Sequence, residues 1–456
     1  MKPRIFIAMH YMEIGGAETA LVGLLNALDP ARVDVDLFLH DHRGEMMQFI
    51  PKWVNLLPQI PKYSVLERPI VELVRRGFWH IAAARMLARF VSKRLYKNSG
   101  TVLENGSGQD IISKYTTSLL PKINYSVCYD LAVSFHAPHR IVLHKVQAKK
   151  KIAWIHTDYT RIWVNVSEEL KVWSRYDYIA SISTDVTRTF LQVFPSLRVK
   201  IVEIENILSP RFVRERADLE PINDSQWGGK CLNLLSIGRF SEQKNFDNLP
   251  DICRLLIEEM IRLLSIGRFS DAKNYDNVPD ICSRMLRILN ENALNENENQ
   301  DQAPASNQVR STTNQAPAIK WYIIGYGGGE ELIRQKIREA GMEDHVIILG
   351  KRSNPYPYIK ACDIYVQPSR YEGKSVTVRE AQMLCKPIVV TNYPTASSQI
   401  RNGVDGVIVP MDNEGCAKGL AQVILDAPLR QRLSAYLATH DYGNESEVEK
   451  IYKLLD

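Results

Sequence analysis

Residues 368–382 read Pro-Ser-Arg-Tyr-Glu-Gly-Lys-Ser-Val-Thr-Val-Arg-Glu-Ala-Gln and lie between two short apolar runs, 364–366 and 387–390. The apolar runs predict buried strands, and the segment between them predicts a loop followed by a helix. Glu372 then lies in the loop and Glu380 just inside the helix. A helix N-terminus presents unpaired N–H groups and partial positive charge, which suit a phosphate, while a nearby carboxylate suits a hydroxyl donor. A nucleotide sugar carries both groups and is the ligand that this segment predicts.

Glu380 also has a structural interpretation. Residues 377–380 read Thr-Val-Arg-Glu, which fits a capping box in which Thr377 caps the helix and Glu380 reaches back to the backbone amide. From this spacing alone, both roles of Glu380 stay open. Glu372 precedes the predicted cap and stands beside Gly373, where backbone can approach a ligand closely, so we favour a binding role for Glu372.

Short apolar runs alternate with helical or turn-rich sequence along the whole chain. In the first part, the predicted strands are 4–10, 33–39, 131–134, 151–155, 178–181 and 200–205. In the second part, they are 232–237, 321–324, 346–349, 364–367, 387–391 and 406–409. Strands that alternate with helices form parallel sheets covered on both faces. The sequence therefore predicts an α/β protein with two doubly wound, Rossmann-like domains that face each other across a cleft.

The length of 456 residues suits two domains and one additional element. Proline and asparagine interrupt the periodicity at 206–221, where we expect a hinge. The predicted domains are 1–206 and 207–440, and the second contains the segment that predicts nucleotide-sugar binding. Residues 441–456 are predicted to end in a helix polar enough to dock on a surface rather than to build a core.

Two segments of the second domain break the alternating pattern. Residues 234–253 recur at 263–282 with 16 of 20 positions identical. Because a solenoid needs at least three repeats, we interpret the pair as a local tandem duplication. Residues 290–318 are rich in Asn, Gln, Ser and Thr, and we predict a disordered insertion there.

The overall composition excludes several classes of protein. Hydrophobic residues make up 45% and charged residues 24% of the chain, as in a soluble globular protein. The net charge of +5 is too mild to indicate nucleic acid, and no known RNA-binding motif appears. The longest apolar runs are too short for a membrane span, and the run after Met1 is too short for a signal peptide.

The number and spacing of the cysteines indicate the cellular compartment of the protein. The chain has seven, an odd number, and they are widely spaced without a C-x-x-C pair. This pattern argues against a zinc site and against a disulfide framework. We therefore expect the protein in the reducing cytoplasm, including the inner face of the cell membrane.

Each copy of the duplication contains a candidate phosphate-binding loop. In the first copy Gly238 and Arg239 follow a predicted strand, and Lys244 comes five residues after the arginine. The second copy offers Arg268 and Lys273 in the same pattern. An arginine fork and a lysine point charge both suit a diphosphate. Both copies cannot line one pocket, and we favour the first because a glycine pair precedes its strand.

Two glycine-rich loops also follow predicted strands. Gly325 and Gly327 precede a helix in the second domain, and Gly15 and Gly16 precede a helix in the first. Glu18 in the first turn of that helix suits the helix dipole whether or not it contacts a substrate. A single glycine-rich loop is a weak signal, and its position after a strand strengthens it.

Two histidines end predicted strands. His156 follows strand 151–155 and precedes Thr-Asp-Tyr, so it is expected at the edge of the cleft. Structural and catalytic roles for His156 stay open, while for His10, at the end of strand 4–10, we favour a structural role.

Taken together, these motifs resemble glycosyltransferase family 4, retaining enzymes with the GT-B fold. The resemblance extends over nearly the whole chain, and its most specific part is the spacing of Glu372 and Glu380. It implies that Glu372 binds the hydroxyls of the transferred sugar and that His156 lies beside the reacting sugar. The residues it implies for the donor diphosphate are Gly238, Arg239, Lys244, Ser375 and Val376. Those implied for the ribose and nucleotide are Glu380, Gly325, Gly327 and Arg352, and those for the acceptor-side loop are Gly15, Gly16 and Glu18.

The resemblance further implies a nucleotide-diphosphate sugar as co-substrate, with a UDP-sugar favoured, and no cofactor or metal. The two cations Arg239 and Lys244 would stabilise the departing diphosphate in place of a metal. The only Asp-x-Asp pattern, 34–36, lies in a predicted strand of the first domain. The chain departs from the family at Lys374 and Ser375, where Phe-Gly is common, which leaves the donor preference open.

Residues 71–97 carry seven Lys or Arg side chains and one acid, interleaved with aromatic and aliphatic residues. A basic amphipathic helix of this kind can lie on an anionic membrane. The alternative is a helix that packs on the core and exposes a solvated face. Contact with the membrane would suit a lipid-linked acceptor.

The main hypothesis is a retaining hexosyltransferase that acts on a glycan or lipid-linked acceptor in the synthesis of a bacterial-type surface polysaccharide. One alternative is a nucleotide-sugar epimerase of the same architecture. The other is an inactive binding or scaffold protein, which the duplicated segment makes plausible.

Overall fold

The computed structural model describes residues 2–64, 66, 68–229, 231–268 and 319–456, of which 261–268 are described in backbone only. The predicted disordered insertion 290–318 and most of the second repeat copy lie outside the described residues. Two parallel sheets, each covered by helices, form the two halves of the described chain. The predicted α/β architecture with two doubly wound domains is confirmed.

The first half is built on a sheet of seven strands in the order β3-β2-β1-β5-β6-β8-β9, all parallel. Strands β4 and β7 form a separate parallel pair. The strands of this half are β1 (Arg4–Met9), β2 (Asp34–Leu39), β3 (Asn55–Leu56), β4 (Glu104–Asn105), β5 (Tyr129–Ser134), β6 (Ala148–Ile155), β7 (Ile162–Trp163), β8 (Tyr178–Ser181) and β9 (Ile201–Glu203). The helices are α1 (Gly16–Ala27), α2 (Pro61–Ser64), α3 (Ile70–Arg75), α4 (Trp79–Asn98), α5 (Gly108–Thr116), α6 (Arg140–Lys145), α7 (Val166–Trp173), α8 (Thr184–Val193) and α9 (Pro210–Asp218).

The second half is built on six parallel strands in the order β12-β11-β10-β13-β14-β15. Its strands are β10 (Leu232–Ile237), β11 (Ile319–Ile324), β12 (Val346–Gly350), β13 (Ile364–Gln367), β14 (Ile388–Thr391) and β15 (Val407–Val409). Its helices are α10 (Leu249–Arg268), α11 (Glu330–Ala340), α12 (Tyr356–Ala361), α13 (Val376–Met383), α14 (Asn413–Leu425), α15 (Ala427–Ala438) and α16 (Val448–Leu455). Short 3₁₀ helices lie at Glu45–Phe49, Thr117–Leu119, Pro195–Lys200, Glu242–Lys244, Ala396–Ser398 and Glu445–Glu447.

The central strands are buried on both faces, which explains their apolar sequences. All four residues of β13 and all four of β14 are buried, as expected for strands covered by helices above and below. Parallel strands point their carboxyl ends toward one edge of the sheet, and the loops at this edge of the two sheets face each other. The cleft therefore lies where ligands bind in open α/β sheets.

The two copies of the duplicated segment adopt different backbones. Leu-Leu-Ser-Ile-Gly-Arg occurs at 234–239 and at 263–268. The first copy forms the end of β10 and the loop after it, whereas the second continues α10 to its last residue. The first copy follows Gly228 and Gly229, which both have positive φ, while the second follows helical sequence directly. Context therefore decides the conformation of this hexapeptide.

The C-terminal helix differs from the prediction of a surface-docked element. Val448, Ile451 and Leu454 on α16 are buried in the hydrophobic core of the first half. Their spacing of three residues gives an apolar stripe along one side of the helix. The helix thus builds part of the core, and the predicted surface role was wrong.

Two chain segments connect the halves and lie side by side. The Glu205 amide donates to the Glu447 carboxylate over 2.9 Å, and the Leu208 amide donates to the Asn444 side chain over 2.9 Å. Asn444 in turn donates to the Asn206 carbonyl oxygen over 3.0 Å. These bonds join the segment that leaves the first half to the segment that returns to it.

Residues 71–97 form two helices rather than one. Gly77, with a φ of +79°, separates α3 from α4. Helix α4 buries Ile81, Ala82 and Ala88 on one side, so it packs on the first half as the alternative interpretation predicts. Within the described residues, we find no helix whose length and apolarity would let it cross a bilayer.

Candidate active site

A cavity of about 750 Å³ lies between the two halves, at the carboxyl ends of the central strands. Its walls contain residues from both halves, as the cleft prediction requires. The predicted site residues that line it are Gly15, Gly16, His156, Gly238, Arg239, Lys244, Gly325, Gly327, Arg352, Glu372, Ser375, Val376 and Glu380. Glu18 is not among the lining residues.

The Glu372 carboxylate is the centre of a hydrogen-bond cluster. It lies in the loop between β13 and α13 and is buried. Lys244 Nζ and Ser369 Oγ each donate to its Oε1 over 2.6 Å, and Gln367 Nε2 donates to the same oxygen over 3.1 Å. Gln243 Nε2 lies 3.4 Å from Oε2. The predicted sugar-binding acid and the predicted diphosphate-binding lysine therefore form a direct ion pair, although they are 128 residues apart in sequence.

Gly238 makes room for this ion pair. A Cβ atom at Gly238 would lie 2.9 Å from the Lys244 side-chain carbons. Lys244 itself ends the 3₁₀ helix that follows the β10 loop. The glycine thus lets the lysine stem cross the loop and reach Glu372.

The start of α13 differs from the predicted capping box. Ser375, not Thr377, is the N-cap residue, and its Oγ accepts from the Val378 amide over 3.4 Å. Glu380 does not reach back to the cap, and its Oε1 accepts instead from the Tyr356 hydroxyl over 2.9 Å. The capping-box interpretation was therefore wrong, because the loop places the cap two residues earlier.

Gln399 holds the loop before α13. Its Oε1 accepts from the Ser375 amide over 2.7 Å, and its Nε2 donates to the Ser375 carbonyl oxygen over 3.0 Å. The two bonds fix the peptide groups on both sides of Ser375 at the base of the cavity. The sequence offered no signal for this role, since Gln399 is 24 residues away.

We expect Gln399→Ala to lower the free energy of unfolding by about 1–3 kcal/mol, because it leaves the buried Ser375 N–H without a partner. The Ser375 carbonyl oxygen keeps the Arg379 amide as a donor, over 3.4 Å. Denaturation in urea measures this change. Gln335→Ala is the matched control, since Gln335 pairs with Glu339 on the exposed face of α11. Equal unfolding free energies for the two variants would contradict a role for Gln399 in holding the loop.

Glu380 is fully enclosed at the side of the cavity. Burial raises the pKa of its carboxyl to about 7, and the hydrogen bond from Tyr356 opposes this rise. The carboxyl is thus close to half ionised at neutral pH. Its charge therefore changes with pH, and both the stability of the fold and the binding of a ligand at this carboxyl are expected to change with it.

Arg239 extends from the loop after β10 toward the first half. Its guanidinium makes no ion pair with a described residue, and it faces Glu18 closely enough to lower the pKa of that carboxyl. Burial has the larger effect and leaves the pKa of Glu18 raised. An arginine that lines a cavity without an ion-pair partner is available to an anionic ligand.

The two glycine loops of the second half pack against each other. A Cβ atom at Gly325 would lie 1.9 Å from the Gly238 carbonyl oxygen, and one at Gly327 would lie 2.8 Å from the Phe240 carbonyl oxygen. Gly327 also has a φ of +150°. These glycines are therefore required by the close approach of the two loops.

The glycine loop of the first half reaches the start of α13. A Cβ atom at Gly16 would lie 3.7 Å from the Val376 side chain across the cleft. Gly15 is the N-cap residue of α1, and a Cβ atom there would lie 2.4 Å from the Glu18 carboxylate. The predicted acceptor-side loop and the predicted donor loop are thus close neighbours.

Arg352 lines the cavity, but its guanidinium is already engaged. It donates to the Asp224 carboxylate over 2.6 Å and to the Tyr358 hydroxyl over 3.2 Å. Both partners belong to the second half. Contact between Arg352 and a nucleotide would require these bonds to change.

His156 ends β6 and is held in place by the neighbouring strand. With the proton assigned to Nε2, it donates to the Phe135 carbonyl oxygen over 2.8 Å. Burial lowers the pKa of its imidazole to about 4, so the ring is neutral at pH 7. The His156 ring can therefore offer a ligand a hydrogen-bonding nitrogen rather than a positive charge.

His136 is a cavity residue that the sequence analysis missed. Its ring lies 6.1 Å from that of His156. His136 follows strand β5 as His156 follows β6, so the rule that singled out His156 could have found it. Lys351 was also missed, and it joins the halves through an ion pair of 2.9 Å with Glu45.

Lys374, at the position where the resemblance leads us to expect phenylalanine, forms an ion pair with Glu205 of the first half. Arg379 lies 3.8 Å from the same carboxylate. The charge of Lys374 is therefore matched by an acid beside the segments that connect the halves. Of the alternative repeat copy, Arg268 is the last residue of α10, while its side chain and Lys273 lie outside the described residues.

Among the residues that the structure describes, no group of three or more His, Cys, Asp or Glu side chains could hold a metal ion. Asp36, from the Asp-x-Asp pattern, is buried and accepts from Tyr129 and Asn55, each over 2.6 Å. These bonds tie the aspartate into the first half, away from the loops that face the cavity.

Comparison with known proteins agrees with this geometry. Residues 254–439 match the family model described as glycosyl transferases group 1. The N-acetylgalactosamine-N,N'-diacetylbacillosaminyl-diphospho-undecaprenol 4-alpha-N-acetylgalactosaminyltransferase of Campylobacter jejuni is 28% identical over 115 residues, 25% of this chain and 32% of that protein. The lipopolysaccharide core biosynthesis glycosyltransferase LpsE of Rhizobium meliloti is 25% identical over 119 residues, 26% of this chain and 35% of that protein. The chain thus matches about a third of the length of these curated relatives.

Solved structures match over the whole chain. Anabaena Alr3699/HepE in complex with UDP and glucose has a TM-score of 0.60 at 13% identity and covers 99% of both chains. A variant of S. aureus TarM in complex with Fondaparinux, alpha-GlcNAc-glycerol and UDP has a TM-score of 0.59 at 13% identity and covers 100% of both. The chain therefore has the GT-B fold of glycosyltransferases, and its residues 254–439 match the group 1 glycosyl transferases.

Proposed function

We propose that this protein is a retaining glycosyltransferase. It transfers a hexose from a nucleotide-diphosphate sugar, with a UDP-sugar favoured, to a glycan or lipid-linked acceptor in surface-polysaccharide synthesis. The observation that carries the proposal is the convergence of Arg239, Lys244 and Glu372 on one cavity between two GT-B halves. The relatives named for lipopolysaccharide core and lipid-linked glycan synthesis support the pathway.

The donor diphosphate is proposed to lie between Arg239, Lys244 and the start of α13. Ser375 Oγ and Gln399 take up two backbone amides at this helix end, which leaves those of Val376 and Thr377 for phosphate oxygens. As the bond to the sugar breaks, negative charge builds on the diphosphate. The two cations then stabilise the leaving group more in the transition state than in the ground state.

The sugar and the nucleoside are proposed to bind through acids. Glu372 accepts hydrogen bonds from the hydroxyls of the transferred sugar, and Glu380 accepts from the ribose. Neutral His156, with Nε2 held by Phe135, offers Nδ1 to the reacting sugar. Lys244 is shared in this scheme, since it balances the charge of Glu372 while it contacts the diphosphate.

We further propose that the reaction needs no metal and no cofactor and takes place in the cytoplasm, at the inner face of the cell membrane. Part of residues 71–97 makes the peripheral contact. An acceptor that carries a lipid would be reached from this position.

A screen of nucleoside diphosphates by thermal unfolding tests the proposal. We expect UDP to raise the unfolding temperature, with about 2.7 kcal/mol of stabilisation at a concentration 100 times the dissociation constant. Glu380→Ala should reduce the effect of UDP, whereas Lys336→Ala on the exposed face of α11 should not. No response to any nucleotide would contradict the proposal. UDP binding without transfer would favour a scaffold, and conversion of a UDP-sugar without an acceptor would favour an epimerase.

A further inference from the structure

Helix α4 is apolar on two opposite faces, and only one of them is covered. The inner face, formed by Ile81, Ala82 and Ala88, packs on the first half. On the outer face, Trp79 is 70% exposed, Met86 59% and Phe90 66%. A soluble protein seldom presents several large apolar side chains together without a binding partner.

The outer residues form a continuous stripe. Trp79, Ala83, Met86 and Phe90 follow one another at steps of four, three and four residues, which keeps them on one side of a helix. The buried residues Ile81, Arg85, Ala88 and Ser92 have the same spacing, displaced by two residues along the chain, which turns them to the opposite side of the helix. The outward apolar face is therefore set by the sequence of the helix and does not result from a loosely packed end.

Positive charge continues the same face toward the end of the helix. Arg89, Lys93, Arg94 and Lys97 are exposed, and α4 contains no Asp or Glu. None of these four side chains forms an ion pair within the described part of the chain. The residues 71–97 as a whole carry a net charge of +6, which exceeds that of the entire protein.

The chain that follows α4 reaches the cavity. Helix α4 ends at Asn98, and the segment that follows contributes Val102 and Leu103 to the cavity lining. Val102 is 97% exposed. Apolar surface therefore occurs both on α4 and at the cavity entrance, joined by a short stretch of chain.

We propose that the outer face of α4, defined by Trp79, Met86, Phe90, Lys93 and Arg94, binds the surface of an anionic phospholipid bilayer. The apolar side chains enter the boundary between headgroups and acyl chains, and the cations contact the headgroups. A tryptophan at the start of the stripe suits this boundary, since its ring is apolar and its N–H is polar. Charge complementarity favours an anionic bilayer, because these four neighbouring cations form no ion pair with any residue that the structure describes.

The proposal also defines the acceptor, and this part rests on the proposed function. Val102 and Leu103 line the cavity and follow the end of α4 at Asn98 directly in the chain, so a bilayer bound to α4 would lie near this part of the cavity lining. An acceptor anchored by a lipid can then extend its glycan into the cavity while its chain remains in the membrane. A fully soluble acceptor would gain nothing from this arrangement.

Vesicle flotation tests the membrane contact without any enzymatic readout. We expect the full chain to bind vesicles of phosphatidylglycerol and phosphatidylcholine in equal parts, and to bind pure phosphatidylcholine far more weakly. Lys93→Gln with Arg94→Gln should weaken binding about 30-fold, since each cation near an anionic surface contributes about fivefold. Met86→Ser with Phe90→Ser should weaken binding to both kinds of vesicle.

A matched control comes from the first half itself. Arg198 and Val199 are adjacent, exposed and remote from α4 in sequence, and Arg198→Gln with Val199→Ser should bind vesicles as the unchanged protein does. Equal binding by the α4 variants and this control would overturn the proposal. A concentration-dependent dimer that the Met86 and Phe90 changes abolish, without vesicle binding, would assign the face to a second copy of the chain instead.

The stabilisation by UDP separates this proposal from the proposed function. The α4 variants leave the cavity residues in place, so UDP should raise their unfolding temperature as much as it does for the unchanged protein. Loss of vesicle binding with retained UDP response would support the surface. If the protein binds vesicles but no nucleotide changes its unfolding temperature, the proposed function is contradicted and the membrane-binding surface is still supported.

Discussion

Replacing Lys244 by alanine is expected to lower the rate of sugar transfer about 10²–10³-fold, the usual loss when one preorganised electrostatic donor is removed. Lys244 Nζ lies 2.6 Å from the Glu372 carboxylate, and its side chain lines the cavity beside the loop before α13. In the proposed function, Lys244 serves two anions, the Glu372 carboxylate and the donor diphosphate. Its removal would then withdraw charge from the leaving group and also change the environment of Glu372.

The fold should survive this change, because the Glu372 carboxylate keeps Ser369, Gln367 and Gln243 as hydrogen-bond donors. Circular dichroism and the unfolding temperature check that point. Lys336→Ala is the control, since Lys336 forms an ion pair of 3.2 Å with Glu339 on an exposed helix. We expect its transfer rate to stay unchanged.

A double-mutant cycle with Glu372→Gln tells the two roles of Lys244 apart. Glu372→Gln alone should lower transfer at least tenfold, about 1.4 kcal/mol of transition-state stabilisation. Because the two side chains touch, the double variant should lose less than the product of the single losses. An unchanged rate for Lys244→Ala together with a loss for Lys273→Ala would show that the second repeat copy supplies the cation.

The strands were predictable because each is a short apolar run that the fold buries on both faces. β8, β10 and β13 begin and end at the predicted residues. The C-terminal helix was not predicted correctly, because its charged residues gave a polar average that concealed the stripe Val448, Ile451 and Leu454. Periodicity is the better guide for such a helix, since burial depends on one face and not on the mean.

The sequence predicts which residues line the site better than it predicts the contacts between them. Loops after strands identified Lys244 and Glu372 separately, but their ion pair depends on the sheet order that places β10 beside β13. Ser375 as a cap and Gln399 as its partner depend on loop geometry that no spacing rule contains. His136 follows β5 in the same way as His156 follows β6, so its position after a strand also predicts that it lies at the cleft.

The duplicated hexapeptide illustrates the limit of local sequence. Identical residues form a strand and loop at 234–239 and a helix at 263–268. In the first copy, the Leu234 and Leu235 side chains enter cores on opposite faces of the sheet, which stabilises the extended form. In the second copy, the preceding helix extends through the same six residues, since each further residue adds a hydrogen bond at low entropic cost.

Replacing Glu380 by glutamine is expected to remove a dependence of stability on pH that reaches about 3 kcal/mol. Burial raises the pKa of this carboxyl from 4.5 to about 7 in the folded chain. Between these two values the folded chain holds a proton that the unfolded chain has released. The free energy of unfolding therefore falls as pH rises from about 4.5 to about 7, and above that range the full penalty for a buried charge remains.

Urea denaturation of the unchanged protein and of Glu380→Gln across this pH range measures the effect. Asp110 and Glu169 also have raised pKa values, so the difference between the two proteins, and not the absolute curve, isolates Glu380. The variant should be the more stable protein above about pH 7, by up to about 3 kcal/mol, and nearly equal to the unchanged protein below pH 4.5.

Nucleotide binding should respond to the same proton in the opposite direction. In the proposed binding mode, an ionised Glu380 would accept a hydrogen bond from the ribose more strongly than a neutral one. The stabilisation by UDP should therefore grow from roughly pH 6 to 8 in the unchanged protein and stay flat in Glu380→Gln. Parallel pH curves for the two proteins, in both unfolding and UDP binding, would mean that this carboxyl keeps one charge state throughout and that its burial has no role in the site.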